Sequence, residues 1–160
     1  MIEQAVVDSL EFAREGRVLA GSVKIAALSR LADVAAAGTL ACELRGGRDG
    51  DGRPTLNLKV GGTLELRCQR CLSPLAFELD IDSALLLVAP GESWPDEELA
   101  DDGPDAIEAS RELAVLSLIE DEVLLALPVA PRHEDCRPPA PAETERPPSP
   151  FAALANLKDH

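Results

Sequence analysis

The sequence predicts an α+β fold: an antiparallel β-meander, or a partly closed barrel, with a long packing helix and flanking short helices. Three observations carry this. Apolar residues alternate with polar ones from Thr39 to about Ala89, Gly- and Pro-rich breaks punctuate that stretch, and one long helical segment lies between Ser110 and Pro128. One face of the strands is therefore expected to be dry and the other wet.

The elements follow in order. Asp8 can cap a short helix to about Glu15, with Leu10, Phe12 and Ala13 as its apolar stripe and Gly16 as its end. Val18 to Ile25 reads as a strand, and Ala26 to Val34 as a short helix ended by Gly38. The meander then places Leu40, Cys42 and Leu44 on one side, followed by Leu56, Leu58 and Val60, by Leu64, Leu66 and Cys68, and by Leu75, Phe77, Leu79 and Ile81. Its turns are expected at Gly46 to Pro54, at Gly61-Gly62 and at Ser73-Pro74, with 84 to 89 as a last, more buried strand. Asp105 to Ala109 adds an edge strand, and residues 111 to 127, capped by Ser110, form the long helix. The domain is thus expected to span 1–136, with an acidic loop at 90–104 that cannot bury enough apolar area to order itself.

Pro138, Pro139, Pro141, Pro147 and Pro148 make 137–149 an extended linker, which at about 3.1 Å per residue reaches roughly 40 Å. Beyond it, Ser149 as N-cap and Pro150 open a small helix over 150–158, in which Phe151, Leu154 and Leu157 share a face suited to docking on a partner.

Composition narrows the function. The net charge is -14, and most of it sits in one segment: residues 92–122 hold 12 acids against Arg111 alone. Such a surface attracts basic proteins and repels a phosphate backbone. The aromatics are Phe12, Phe77, Phe151 and Trp94, with no tyrosine, so platforms for stacking bases are scarce. No apolar run approaches the ~20 residues of a membrane helix, and no basic leader precedes the first elements, so a cytoplasmic chain without a membrane partner is expected. No phosphate loop, nucleophile elbow or small-molecule substrate motif is present, and no catalytic residue is assigned.

The reactive side chains concentrate in two places. Cys68 and Cys71 lie two residues apart at the expected hairpin tip, and His133 and Cys136 repeat the spacing after the long helix. Four such donors can close a tetrahedral Zn2+ site. Plain reduced thiols, or a redox pair with a depressed thiolate pKa, are the other readings. Cys42 shares a face with Leu40 and Leu44 and reads as a buried apolar thiol, or as a substitute ligand.

On a 100° ruler Leu113, Leu116, Leu124 and Leu127 form one stripe of the long helix, and Glu120 falls inside it. A carboxylate among leucines needs a cation, so Glu120 is expected to form a structural ion pair with an arginine such as Arg67 or Arg70, while Asp121 and Glu122 face solvent. A zinc-hairpin nucleic-acid binder would require Arg45, Arg48, Arg53, Arg67 and Arg70 to share a face.

Four segments together resemble the YceD family: Leu64-Glu-Leu-Arg-Cys-Gln-Arg-Cys71 with Pro74, Ile119-Glu-Asp-Glu-Val-Leu-Leu-Ala-Leu-Pro128, Pro131-Arg-His-Glu-Asp-Cys136, and Ser149-Pro-Phe-Ala-Ala-Leu-Ala-Asn-Leu-Lys158. Their order and spacing match over most of 38–158. The tail opens with Ser149 where Asn is expected, and the change keeps a capping side chain. The resemblance implies a non-enzymatic cytoplasmic factor for accumulation of 23S ribosomal RNA and for large-subunit production. Joined to the acidic charge and the tethered helix, it implies as partner a basic ribosomal protein of the large subunit or an assembly factor, with rRNA contacted indirectly.

Overall fold

The computed structural model describes residues 2–95, 103–140, 149–152 and 154. Its centre is a mixed five-stranded sheet of β2 (Val18–Lys24), β3 (Ala35–Arg48), β4 (Pro54–Arg67), β5 (Pro74–Val88) and β6 (Asp105–Glu108), in sequential order. The first four strands pair antiparallel as a meander, while β6 runs parallel to the end of β5, with Leu85 opposite Asp105. A two-stranded ribbon joins β1 (Val6–Val7) to β7 (Leu113–Ala114). The sheet is open among the described residues, so the barrel alternative does not hold.

Alternation places the core. Leu40, Cys42 and Leu44 of β3, Leu56, Leu58, Val60, Leu64 and Leu66 of β4, and Leu79, Ile81, Leu85 and Leu87 of β5 are buried on one face. The helices α1 (Ser9–Arg14) and α2 (Val115–Ala126) and two 3-10 turns, Ile25–Ala27 and Ser29–Leu31, add residues to the same core. Each fully buried leucine contributes about 1.5–3 kcal/mol relative to exposure. No described helix is long and apolar enough to cross a membrane.

Several local expectations are corrected. Gly61-Gly62 is not a turn: β4 runs straight through it, and Gly62, at φ +154, lets the strand pass where a Cβ would lie 2.6 Å from Thr39 O. The segment 84 to 89 is the end of β5, not a separate strand, because Ala84 to Leu86 remain paired with Thr55 to Asn57. The expected helix 26 to 34 is reduced to the two 3-10 turns. Ser110 does not cap α2; its hydroxyl accepts from Glu112 N, and the helix opens at Val115, whose amide donates to Ala5 O at 3.0 Å. By contrast Asp8 does cap α1, accepting from Glu11 N at 3.0 Å.

The face of α2 also differs. Its buried residues are Val115, Leu118, Ile119, Glu120, Glu122 and Val123, and Leu116 and Leu124 are only partly covered. At 100° per residue the centre of the buried arc lies about 120° from that of the leucine stripe. A helix apolar on most of its circumference does not reveal from spacing alone which side meets the sheet.

Of the acidic loop, 96–102 lie outside the described residues, as do 141–148 of the linker and Leu157 of the tail. Ser149 Oγ accepts from Phe151 N at 3.2 Å, and Phe151 and Leu154 are exposed at 71% and 55%.

Candidate metal centre

β4 and β5 are joined by a tight turn at 68–73. Cys68 N donates to Ser73 O at 2.9 Å and Leu72 N to Cys68 O at 3.0 Å, while Leu72 takes a positive φ of 64°. The turn aims two amides at one sulfur: Arg70 N and Cys71 N reach Cys68 Sγ at 3.4 and 3.5 Å. After α2, Pro128 stops the helix and the chain returns to this tip, where Gln69 N donates to Pro131 O at 2.8 Å.

The return brings four donors together. Cys68, Cys71, His133 and Cys136 offer ligand atoms that all lie within 4.8 Å of one another. Cys68 Sγ is 3.7 Å from Cys136 Sγ, and Cys71 Sγ is 3.3 Å from His133 Nδ1. Tetrahedral zinc requires separations of about 3.8 Å between sulfurs and about 3.6 Å from sulfur to nitrogen, so the group fits a metal. His133 Nε2 lies 3.1 Å from Pro74 O and donates to it, which leaves Nδ1 bare toward the sulfurs.

The electrostatics agree with a cation. Burial opposes the Cys68 thiolate, but amide and side-chain hydrogen bonds from Cys71, His133 and Arg70 outweigh it and hold the pKa at about 5. Bonds from Ser73 lower Cys71 against its burial. His133 is raised by its bonds to Cys68 and Cys71. Cys136 is raised by burial and then by those two neighbouring sulfurs. Negative charge is thus favoured at Cys68 and Cys71, and it helps to raise His133 and Cys136 beside them.

A depressed thiolate also meets one condition for redox chemistry; Cys68 is 0% exposed and closed to an incoming disulfide, whereas Cys71, also lowered, is half-buried. Cys42 is apart from the group: it is buried on β3 opposite Val60, and burial pushes its pKa to about 11.

Glu120 finds a different arginine from those expected. Arg30, in the Ser29–Leu31 turn, donates to Glu120 through its amide at 2.6 Å and its Nε at 2.8 Å. Its Nη1 reaches Asp121 at 2.6 Å and its Nη2 the Ser117 carbonyl at 3.2 Å, so one side chain ties the turn to α2. Neither Arg67 nor Arg70 takes part. Glu122 is buried rather than solvent-facing, and accepts from the Ser83 hydroxyl of β5.

The five arginines of the nucleic-acid alternative do not share a face. Arg45, Arg48 and Arg53 lie at the β3–β4 turn and Arg67 and Arg70 at the β4–β5 turn, which the length of β4 separates by roughly 40 Å.

The sequence model described as Large ribosomal RNA subunit accumulation protein YceD matches residues 56–158, which include all four donors. The chain belongs to the YceD family. A relative from Haemophilus influenzae, named Large ribosomal RNA subunit accumulation protein YceD, is 35% identical over an alignment of 115 residues that covers 62% of this chain. The match spans 63% of that YceD relative's length, less than two thirds. No solved structure matches the chain.

Proposed function

We propose that the chain is a non-enzymatic cytoplasmic factor that supports accumulation of 23S ribosomal RNA and biogenesis of the large ribosomal subunit. Membership of the YceD family carries this reading. It acts chiefly through contact with a basic ribosomal protein or another assembly factor, for which the charge of -14 and the exposed Phe151 and Leu154 are suited. Leu157 completes the docking face, with 137–149 as its tether.

Cys68, Cys71, His133 through Nδ1, and Cys136 hold one Zn2+. With four protein donors and no open position the ion is structural: it fastens the segment after α2 to the hairpin tip.

Cells lacking the chain should show a reduced ratio of 23S to 16S rRNA, restored when it is supplied again; an unchanged ratio refutes the role. For the route, capture at moderate salt after nuclease treatment should retain basic large-subunit proteins. A captured set that disappears with the RNA refutes protein contact.

A further inference from the structure

The metal centre has a second pattern. Each of its four donors has an arginine as an immediate chain neighbour: Arg67 precedes Cys68, Arg70 precedes Cys71, Arg132 precedes His133 and Arg137 follows Cys136. Because the ligand atoms converge and consecutive Cα atoms are about 3.8 Å apart, the backbones of all four arginines are gathered round one point.

These arginines differ from others in the chain. Arg14, Arg17, Arg30, Arg45 and Arg53 each lie within 4.0 Å of a carboxylate. Among the described residues the four clasp arginines have no such partner, a state they share only with Arg48 and Arg111, although acids outnumber bases 29 to 15. Arg67 Nε donates to Leu72 O and Arg70 Nη1 to Cys136 O, both at 3.2 Å, while Arg67, Arg132 and Arg137 are exposed. Glu134 and Asp135 share the returning loop, so segments 67–74 and 131–137 carry four bases against two acids, net +2. Three thiolates around a divalent ion subtract one charge and leave the sum positive.

The cluster is also placed away from the acidic segment, and the other carboxylates near it are Asp33 and Glu65, which line a cleft with Arg67 and Leu72. β5 runs from Pro74, at the clasp, to Val88, where the acidic segment departs and where Asp105 re-enters beside Leu85. Those ends are roughly 45 Å apart along the strand, several times the ~8 Å screening length of physiological salt. An anion at the clasp is therefore governed by local charge.

We propose that this arginine-ringed clasp contacts the phosphate backbone of RNA. Guanidinium groups match phosphate oxygens in bidentate geometry, and the scarcity of aromatics confines the contact to charge rather than base sequence. The contact adds a second partner class at the opposite end from the acidic segment. It rests on residues separate from the protein-docking surfaces proposed above, so either can fail alone.

The test is fluorescence anisotropy of the full chain with a labelled 20-nucleotide single-stranded RNA of non-ribosomal sequence, from 50 to 200 mM KCl. Binding should weaken with salt. Replacing Arg67, Arg132 and Arg137 together by Gln should flatten the log–log slope by about 2, at ~0.7 per phosphate contact, and weaken binding at least roughly tenfold at 50 mM. The same three changed to Lys should retain most of the affinity. Arg14, Arg45 and Arg111 changed to Gln, an equal loss of charge, should have little effect. Should circular dichroism show the triple Gln protein unfolded, Arg132→Gln and Arg137→Gln singly, each in the exposed loop, should each remove about 0.7 from the slope. No RNA binding at 50 mM overturns the proposal, as does an equal loss in the control triple or single variants that keep the wild-type slope. Displacement of RNA by poly-L-glutamate as readily as by unlabelled RNA also overturns it, assigning the clasp to an acidic protein surface.

Discussion

Replacing Gly46 by Ala tests the packing of α1 on the sheet. The amide of Gly46 donates to Arg17 O at 2.8 Å, and its Cα faces the helix backbone so closely that an added Cβ would press on Phe12 O. It would also lie 2.7 Å from the Phe12 carbonyl carbon and 2.8 Å from Ala13 Cα. Contact distances between carbons are about 3.5–4.0 Å, so α1 must withdraw by roughly 1 Å. Phe12 and Ala13 are each 2% exposed, and that withdrawal opens their packing. Overpacking of this kind costs about 1–3 kcal/mol, and obstruction by rigid backbone puts it at the upper end. Loss of glycine's freedom in the unfolded chain offsets about 0.4–1 kcal/mol, leaving a net destabilisation of about 2 kcal/mol. For a domain of this size that lowers Tm by about 4–8 °C. Thermal unfolding followed by circular dichroism reads it directly. The control is Gly47→Ala, whose Cβ meets only Thr55 Oγ1 at 3.7 Å and should change stability by less than about 0.5 kcal/mol. If the two variants melt together at the wild-type temperature, α1 does not sit on Gly46 and the packing described above is wrong.

Three further outcomes are expected. Arg30 lowers the pKa of Glu120 against the opposing effect of burial, so the pair contributes stability that is complete above the unfolded carboxylate pKa, roughly 4.3, and is lost as pH falls through the lower folded value. Glu120→Gln should therefore shallow the acid limb of a pH–stability curve without abolishing it, since Asp49 and Asp82 are lowered too; an unchanged limb refutes the pair's role. The purified protein should carry one zinc per chain by elemental analysis, and Cys71→Ser or His133→Ala should lose it and expose the 128–137 segment to protease, whereas a metal-free protein with the same protease pattern refutes the clasp. Deleting 149–160 should leave Tm within about 2 °C of the full chain while reducing partner capture, and a large drop in Tm would instead place the tail on its own core.

What the sequence disclosed and what it withheld follow a physical line. Alternation in β3, β4 and β5 is a period-two signal repeated over 14 or 15 residues per strand, so the meander was legible. Gly61-Gly62 misled because paired glycines are a turn signal locally, whereas here one of them admits the close approach of β3. The choice of Arg30 by Glu120 spans 90 residues and depends on a 3-10 turn that spacing does not foretell. The two short-spaced donor pairs were visible as chemistry, and the structure brings them together. The arginine beside every donor was equally visible, as Arg-Cys-x-Arg-Cys and Arg-His-x-x-Cys-Arg, but the importance of Arg132 and Arg137 emerges only once the loop folds back.

The clasp joins donors 62 to 68 residues apart, across β5, β6 and α2, whereas β2 through β5 pair only with their neighbours in sequence. Nearest-neighbour hairpins can form as a chain emerges from its own synthesis, because little loop entropy opposes them. The clasp cannot close until Cys136 has been made and α2 has docked. The arginine ring is consequently the last feature of the domain to be assembled, and a truncated or half-made chain presents the sheet without it. A chain built this way gathers all four arginines round one point only once its synthesis has passed Arg137 and the loop has folded back.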